Sequence, residues 1–178
     1  MTPTLYLLHG RDSSPQSTKI QHLSVVAKNK GWRVVAPDLS STKDPDKRVE
    51  MFLEIACENT SRCVIVGSSM GGYVALVAAK TLKPSAMLLL APAVNIPGYR
   101  ETDLTPSTAD TTIIHGWNDE LISPDSVFEF AGKHQTTLCM MDDDHFLKRS
   151  IPFLESVLVE TLQRCSPVSR QSRLIACL

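Results

Sequence analysis

Residues 63–79 read CVIVGSSMGGYVALVAA, and this stretch decides the fold class. Its first residues are β-branched and apolar, which predicts a buried strand, and the run from Tyr73 onward predicts a buried helix. Between them lies Gly67-Ser68-Ser69-Met70-Gly71, a G-x-S-x-G pattern in the strand, turn and helix context that gives the motif its meaning. The segment therefore predicts a reactive serine on a sharp turn at the end of a strand.

The spacing of the glycines identifies which serine is reactive. A turn this sharp strains the backbone and leaves no room for side chains two residues away on either side. Ser69 has glycine at both of these positions, whereas Ser68 has Val66 and Met70. Ser69 is the predicted nucleophile. The alternatives are a glycine-rich turn that only caps the next helix and a phosphate-binding loop, which would need a lysine after the glycines.

Similar strand-like runs recur along the chain and predict a single parallel sheet. The six runs are residues 4–9, 33–36, 63–67, 86–90, 111–115 and 137–141. Each is apolar on both faces, as buried parallel strands are, and segments with helical spacing separate most of them. Alternating strands and helices predict an α/β fold with a doubly wound sheet and helices on both faces. Reactive groups in such a sheet gather at the carboxyl ends of the strands.

Local signals mark the helix boundaries and the domain limits. Ser14-Pro15 and Ser123-Pro124 predict helix starts, while Gly31 and Gly132 predict the ends of the same two helices. Residues 94–110 lack a sustained period and occupy the place of a cap, so we expect little or no cap domain. The 178 residues, 43% of them hydrophobic, suffice for one core. We expect one domain over residues 1–165 and a polar tail over residues 166–178.

Charge and composition favour a small-molecule partner. The formal charge of −1 provides no field that would gather nucleic acid or anionic lipid. The apolar run Leu5–Leu8 is too short for the core of a signal peptide, and no longer run spans a bilayer, which favours a cytoplasmic protein. The cysteines are odd in number, at 5, and form no C-x-x-C pair, so we expect reduced thiols without a disulfide framework or a zinc site.

The nucleophile needs a base and an acid, and in this architecture they follow in the order Ser, Asp or Glu, His, each after a later strand. His145 is the one histidine after the last predicted strand, and Asp119 follows the strand 111–115. His9 and His115 remain alternatives for the base, although a histidine before a glycine commonly bonds loop backbone. The alternative acids are Glu120, Asp142, Asp143 and Asp144, of which the last three are predicted to form turns and caps.

Backbone donors complete the predicted site. The oxyanion hole is expected from the N–H groups of Met70, directly after the nucleophile, and Arg11, after the first strand. Because the cap is short, we expect an open pocket that favours short or water-soluble acyl groups. Its predicted boundary consists of Arg11, Tyr99, Trp117, Phe146 and Met70, the first four as substrate-binding residues.

Several of these motifs together resemble a known group. They are Leu8-His9-Gly10, Ser13-Ser14-Pro15, the stretch from Ile65 to Tyr73, and His145-Phe146. The chain resembles the α/β-hydrolase superfamily over about residues 4–162, and within it the small YqiA-like esterases. The resemblance implies a minimal α/β-hydrolase fold and a serine esterase without metal or organic cofactor, with Ser69, Asp119 and His145 as the triad. The sequence departs from the group at Arg11, which bears on substrate preference, and in the short segment 94–110.

The sequence thus predicts a serine hydrolase that cleaves small carboxylic esters or thioesters through an acyl-enzyme on Ser69. Lactonases and peptidases share this machinery. The alternative from another class is a protein that binds ligands or partners on a hydrolase scaffold without turnover.

Overall fold

Strand β3, Cys63–Ser68, lies inside one parallel sheet whose other strands are contributed by the whole chain. The computed structural model describes residues 2–57, 62–108 and 110–166. The other strands are β1 Thr4–Leu8, β2 Arg33–Val35, β4 Ala86–Leu90, β5 Thr111–Gly116 and β6 Thr137–Met141. The helices are α1 Thr18–Asn29, α2 Pro45–Cys57, α3 Met70–Leu82, α4 Pro124–His134 and α5 Ile151–Cys165.

The order of strands across the sheet is β2-β1-β3-β4-β5-β6, and every neighbouring pair is parallel. The carboxyl ends of all six strands therefore share one edge. The order reverses beside β1, where the chain goes out to β2 and returns to β3 on the other side. In open α/β sheets, such a reversal opens a crevice at the carboxyl edge in which ligands bind.

Helices cover both faces of the sheet, as predicted. Leu23 of α1 and Leu158 of α5 are fully buried in a cluster on one face. Phe52 of α2, Tyr73 of α3 and Val127 of α4 are fully buried in a second cluster on the other face. The predicted doubly wound α/β architecture is confirmed.

The edge strands differ from the expectation that all strands are buried. Strands β1, β3 and β4 are buried throughout, as is most of β5, whereas β2 and β6 are largely half-buried. Each edge strand has a neighbour on one side only, so solvent reaches its residues although the sequence is apolar. An apolar run identified the strand but not its place in the sheet.

Two helix boundaries also differ. Helix α1 begins after the predicted proline because Ser14 and Pro15 form a separate turn, in which Ser14 O accepts a hydrogen bond from Ser17 N at 3.1 Å. Helix α4 begins at the predicted proline but continues past Gly132 and ends at His134. The next residue adopts the left-handed conformation, with φ of 51°, so it ends the helix without glycine.

The connection between β4 and β5 is short and irregular, as predicted. In the described residues, 94–108 contain neither helix nor strand, so no cap domain is built there. The predicted tail, apart from Ser166, lies outside the described residues. None of the helices within the described ranges combines the length and apolar composition needed to cross a bilayer.

Candidate active site

Ser69 lies on a strained turn between β3 and α3. Its φ of 55° and ψ of −120° put a non-glycine residue in a region that costs conformational energy. The flanking glycines make this turn possible: a Cβ on Gly67 would overlap the carbonyl oxygen of Gly71, and a Cβ on Gly71 would overlap that of Leu8. The crowding confirms the steric reason for the glycine spacing in the sequence.

Backbone hydrogen bonds hold this turn against the neighbouring strand. Ser69 N donates to Leu90 O at 2.9 Å, and Ser69 O accepts from Gly72 N at 2.8 Å and Ala93 N at 3.0 Å. Ser68 is the last residue of β3 and is 8% exposed, while Ser69 is half-buried. Ser69 is therefore the more accessible of the two adjacent serines.

Asp119 and His145 form a hydrogen-bonded pair. Asp119 Oδ2 lies 2.8 Å from His145 Nδ1, and Asp119 Oδ1 accepts hydrogen bonds from Leu121 N and Ile122 N, both at 2.9 Å. Burial of the carboxyl disfavours its charge, but the hydrogen bonds from His145, Ile122 and Leu121 outweigh burial and hold the pKa of Asp119 below its usual value. A buried carboxylate is thus available to orient one imidazole and to stabilise its cation.

The loop that carries His145 is anchored by its own acidic residues. Asp143 Oδ2 accepts from both Ser150 N and Ser150 Oγ at 2.8 Å, at the start of α5. Asp144 Oδ1 accepts from Phe146 N at 2.8 Å. As predicted, these carboxylates form turns and caps. The anchored loop leaves the His145 side chain 11% exposed, so solutes can reach one side of the ring.

Ser69, Asp119 and His145 follow three different strands, β3, β5 and β6, at the same edge of the sheet. Leu147, two residues after His145, is fully buried in the same cluster as Leu90, whose carbonyl accepts the Ser69 N–H. The loop that carries His145 is therefore anchored in the same buried cluster as the residue that holds the Ser69 turn. Ser69 and His145 are not hydrogen-bonded to each other within the described residues. Catalytic hydrogen bonds are often longer without substrate and tighten in the complex.

The two alternative histidines are fully enclosed. His9 is 1% exposed and its ring bonds Gly10 O at 2.8 Å and Leu39 N at 3.0 Å. His115 is 0% exposed and its Nε2 lies 3.1 Å from Ile122 O and 3.4 Å from Asp119 Oδ2. Neither ring can reach a substrate, which leaves His145 as the accessible imidazole at this edge.

The alternative acids are also placed elsewhere. Glu120, Asp142 and Asp144 are exposed, and Asp143 is committed to Ser150. In the residues that the structure describes, none of these four carboxylates is hydrogen-bonded to the His145 ring, whereas Asp119 is.

The loop after β1 lies against Ser69. A Cβ built on Gly10 would lie 3.3 Å from Ser69 Cβ and 3.8 Å from Ser69 Oγ, so glycine permits this approach. The next backbone N–H belongs to Arg11. Neither this group nor Met70 N is bonded to a protein acceptor in the described part of the chain. Of the two predicted oxyanion donors, Met70 N therefore follows Ser69 in the chain. Arg11 N follows Gly10, which lies against Ser69 in space.

The four predicted substrate-binding residues are dispersed around the site. Trp117 and Phe146 are 58% and 55% exposed, and the Phe146 ring centroid lies 5.8 Å from that of His145. Arg11 is exposed. Tyr99 lines a cleft of about 280 Å³ together with Ala93, and the other three residues do not line this cleft. The Met70 side chain is buried.

Two cations near the site had no signal in the sequence. Burial lowers the pKa of Lys19, in the first turn of α1, to about 8, although the carboxylates of Asp143, Asp119 and Asp144 favour its charge. Arg48, on α2, is fully buried. Charged residues on helices usually face solvent, so only the tertiary structure shows that Lys19 is half-buried and Arg48 fully buried.

Acidification is expected to destabilise the fold partly through Asp143. Burial disfavours its charge, but hydrogen bonds from Asp144 N and Ser150 outweigh it and lower its pKa. The folded state therefore binds fewer protons than the unfolded state. The stability that this carboxylate contributes is fully present above the pKa of an unfolded aspartate, about 4. It is lost as the pH falls through the lower pKa of Asp143 in the folded protein.

The measurement is urea unfolding between about pH 7 and pH 2. Asp143→Asn is expected to show a shallower loss of unfolding free energy than the wild type. At neutral pH, Asp143→Ala should cost about 2 kcal/mol, because it leaves buried donors unpaired. An unchanged acid slope in Asp143→Asn would contradict the assignment.

Comparisons with known proteins agree with this fold. A model of the uncharacterised protein family UPF0227 matches residues 4–108. No curated protein matches the sequence at a significant level. A Xanthomonas campestris protein described as a hydrolase of the alpha/beta superfamily has a similar structure. It shares 27% identity, with a TM-score of 0.81 over 90% of this chain and 98% of that chain.

Two further structures share the fold at lower identity. A second Xanthomonas campestris protein, described as a serine hydrolase without lid, is 24% identical, with a TM-score of 0.80 over 94% of this chain and 84% of that chain. Mouse alpha/beta hydrolase domain-containing protein 10 is 17% identical, with a TM-score of 0.77 over 93% and 92%. The minimal, lidless α/β-hydrolase fold that the resemblance implied is confirmed.

Proposed function

Because the chain belongs to the family UPF0227 and has an α/β-hydrolase scaffold, we propose that it is a serine hydrolase that cleaves small carboxylic esters or thioesters through an acyl-enzyme on Ser69. The proposal includes the cytoplasmic location and the small, uncharged substrate expected from the sequence. It assigns Ser69 as nucleophile, His145 as base and Asp119 as acid.

One observation carries the proposal: a buried carboxylate is hydrogen-bonded to an accessible imidazole at the edge where a strained serine ends its strand. Asp119 Oδ1 is already occupied by two backbone N–H groups, so Oδ2 is left to bind His145 Nδ1–H. This selects the tautomer whose Nε2 carries a lone pair. An acceptor nitrogen is what a serine hydroxyl needs in order to lose its proton.

The proposed reaction has two halves. Ser69 Oγ attacks the acyl carbon while His145 Nε2 takes its proton, and the resulting oxyanion accepts hydrogen bonds from Met70 N and Arg11 N. Collapse of this intermediate breaks the bond to the alcohol or thiol, which leaves with the proton from His145. Water then attacks the acyl-enzyme while His145 takes its proton, the bond from the acyl carbon to Ser69 Oγ breaks, and Oγ receives that proton from His145 as the free acid is released. The charge of Asp119 stabilises the imidazolium in both halves.

The same chemistry orients the substrate. Because His145 must protonate the leaving group, that group has to lie beside His145 and hence beside Phe146, whose ring is its neighbour. The acyl group then extends away from His145. Ala93, whose N–H donates to Ser69 O, lines the same cleft as Tyr99, and we assign this cleft to a short acyl chain.

The experiment that tests the function is covalent labelling of the wild type with a fluorophosphonate. We expect one adduct per chain, located by peptide mapping on Ser69, together with hydrolysis of p-nitrophenyl acetate faster than of longer acyl esters. Acetyl thioesters assayed in parallel decide between ester and thioester. A folded protein that takes up no label supports the binding module without turnover instead, and a preference for long acyl chains contradicts the open site.

The placement of the leaving group predicts a selective effect of Phe146→Ala. Loss of the ring is expected to raise KM for phenyl acetate about fivefold, because an aromatic contact contributes roughly 1 kcal/mol. Ethyl acetate has the same acyl group and should be unaffected. Phe128→Ala is the matched control, since Phe128 is an exposed phenylalanine on α4. Equal effects on both esters would refute this placement.

A further inference from the structure

Arg48 contacts the loop that carries one of the two oxyanion donors. Its guanidinium donates from Nη1 to Gly10 O and from Nη2 to Arg11 O, both at 2.9 Å, and from Nε to Thr42 O at 2.8 Å. The residue is 0% exposed. We propose that Arg48 is a positioning residue that holds the Gly10–Arg11 peptide so that the Arg11 N–H points at the oxyanion formed on Ser69. This inference rests on the proposed function.

The geometry of the peptide bond makes the link direct. No peptide bond in the described residues is cis, so the Gly10 carbonyl and the Arg11 N–H point in opposite directions from one rigid plane. Fixing the oxygen therefore fixes the direction of the N–H. The carbonyl points toward buried Arg48, and Gly10 itself lies against Ser69, 3.8 Å from Oγ when measured from a built Cβ. A small rotation of this plane would turn the donor away from the substrate.

His9 supplies a second hydrogen bond to the same oxygen. Its Nε2 accepts from Leu39 N at 3.0 Å, which requires the proton to be on Nδ1, and Nδ1 donates to Gly10 O at 2.8 Å. Burial lowers the pKa of His9, with Arg48 adding to the effect, which favours this neutral form. Two donors from different parts of the chain thus meet on one carbonyl oxygen.

The positive charge of Arg48 affects the hydrogen-bond strength of the Arg11 N–H as well as its direction. In the described residues Arg48 has no carboxylate within ion-pair distance, so backbone carbonyls are its hydrogen-bond acceptors. A hydrogen bond to a carbonyl oxygen polarises the amide and makes its N–H a stronger donor. A charged donor polarises it more than a neutral one. Arg48 therefore both aims the Arg11 N–H and strengthens it.

The test uses Arg48→Lys and Arg48→Ala in the full chain. Lysine keeps the charge but cannot reach all three carbonyls, so we expect kcat to fall about tenfold in Arg48→Lys and about a hundredfold or more in Arg48→Ala. KM should stay within about twofold, because the oxyanion contact is made in the transition state. Inhibition by phenylboronic acid, which forms a tetrahedral anion on the serine, should weaken in proportion to kcat. Guanidinium ion added to Arg48→Ala should restore part of kcat.

Two controls separate positioning from general destabilisation. Leu158→Ala removes a buried side chain on the opposite face of the sheet and should lower thermal stability with kcat of the folded protein unchanged. Arg33→Ala removes an exposed arginine and should change neither. If Arg48→Ala does not fold, Arg48→Lys decides.

The outcomes distinguish the two proposals. An active, labelled wild type whose folded Arg48 variants keep kcat and boronate affinity within about twofold overturns this inference alone. A folded wild type with neither turnover nor labelling overturns the proposed function and this inference with it. A loss of kcat matched by the loss in Leu158→Ala also overturns the positioning role.

Discussion

Ser69→Ala is expected to lower kcat for p-nitrophenyl acetate by about a million-fold and to abolish fluorophosphonate labelling. In the proposed mechanism the acyl-enzyme forms on this hydroxyl, so the residual rate would come from the oxyanion donors and substrate binding alone. The measurement is steady-state turnover together with intact mass after labelling. The variant should remain folded, because Ser69 is half-buried and no hydrogen bond of its hydroxyl within the described residues is lost.

Ser68→Ala is the matched control for this prediction. Ser68 differs from Ser69 by one position and lies at the buried end of β3, 8% exposed. We expect labelling and kcat to remain close to the wild type. Labelling that persists in Ser69→Ala and disappears in Ser68→Ala would mean that the wrong serine was assigned.

Asp119→Asn is expected to lower kcat about ten-thousandfold near neutral pH. Two backbone N–H groups, of Leu121 and Ile122, already require an oxygen at the Oδ1 position. The new amide must therefore turn its NH₂ group toward His145 Nδ1. That donor makes Nδ1 an acceptor and places the ring proton on Nε2. A protonated Nε2 can no longer receive the proton of Ser69.

The size of this effect is measured against two comparison variants. Asp119→Ala removes the wrong donor as well as the charge, so comparison of the two variants separates tautomer from electrostatics. Glu120 is the exposed residue next to Asp119, so Glu120→Gln should leave kcat unchanged. An Asp119→Asn protein with more than about a tenth of wild-type kcat would refute the assigned acid.

The main features of the fold were predictable because they depend on local patterns. Apolar runs located all six strands, and the motif around Ser69 specified strand, turn and helix in the right order. Boundaries were less accurate where local signals compete. At the first predicted helix, Ser14 forms its own turn, and α4 continues past Gly132 to end before Gln135, which adopts the left-handed conformation.

For the candidate site, the sequence named Asp119 and His145 but could not by itself separate Asp119 from the neighbouring carboxylates. Residue order along the chain pointed to Asp119 and His145, yet three aspartates adjoin that histidine in sequence. Burial and hydrogen bonding separate them: Asp143 is committed to Ser150, while Asp119 faces the imidazole. The predicted substrate-binding residues Arg11, Tyr99, Trp117 and Phe146 remain a prediction, because they come from separate loops whose mutual placement has no sequence signature.

What the amino-acid sequence determined by itself is therefore the set of elements and the reactive turn, since both follow from spacing along one chain segment. Gly67 and Gly71 mark Ser69 because steric crowding acts within a few residues. The tertiary structure alone decided which carboxylate binds His145, which strands lie at the edges, and that Arg48 is buried against Gly10. Each of these depends on contacts between segments distant in sequence. The free energy of such contacts depends on the burial of the groups and on the direction of their hydrogen bonds, and no local sequence pattern predicts either.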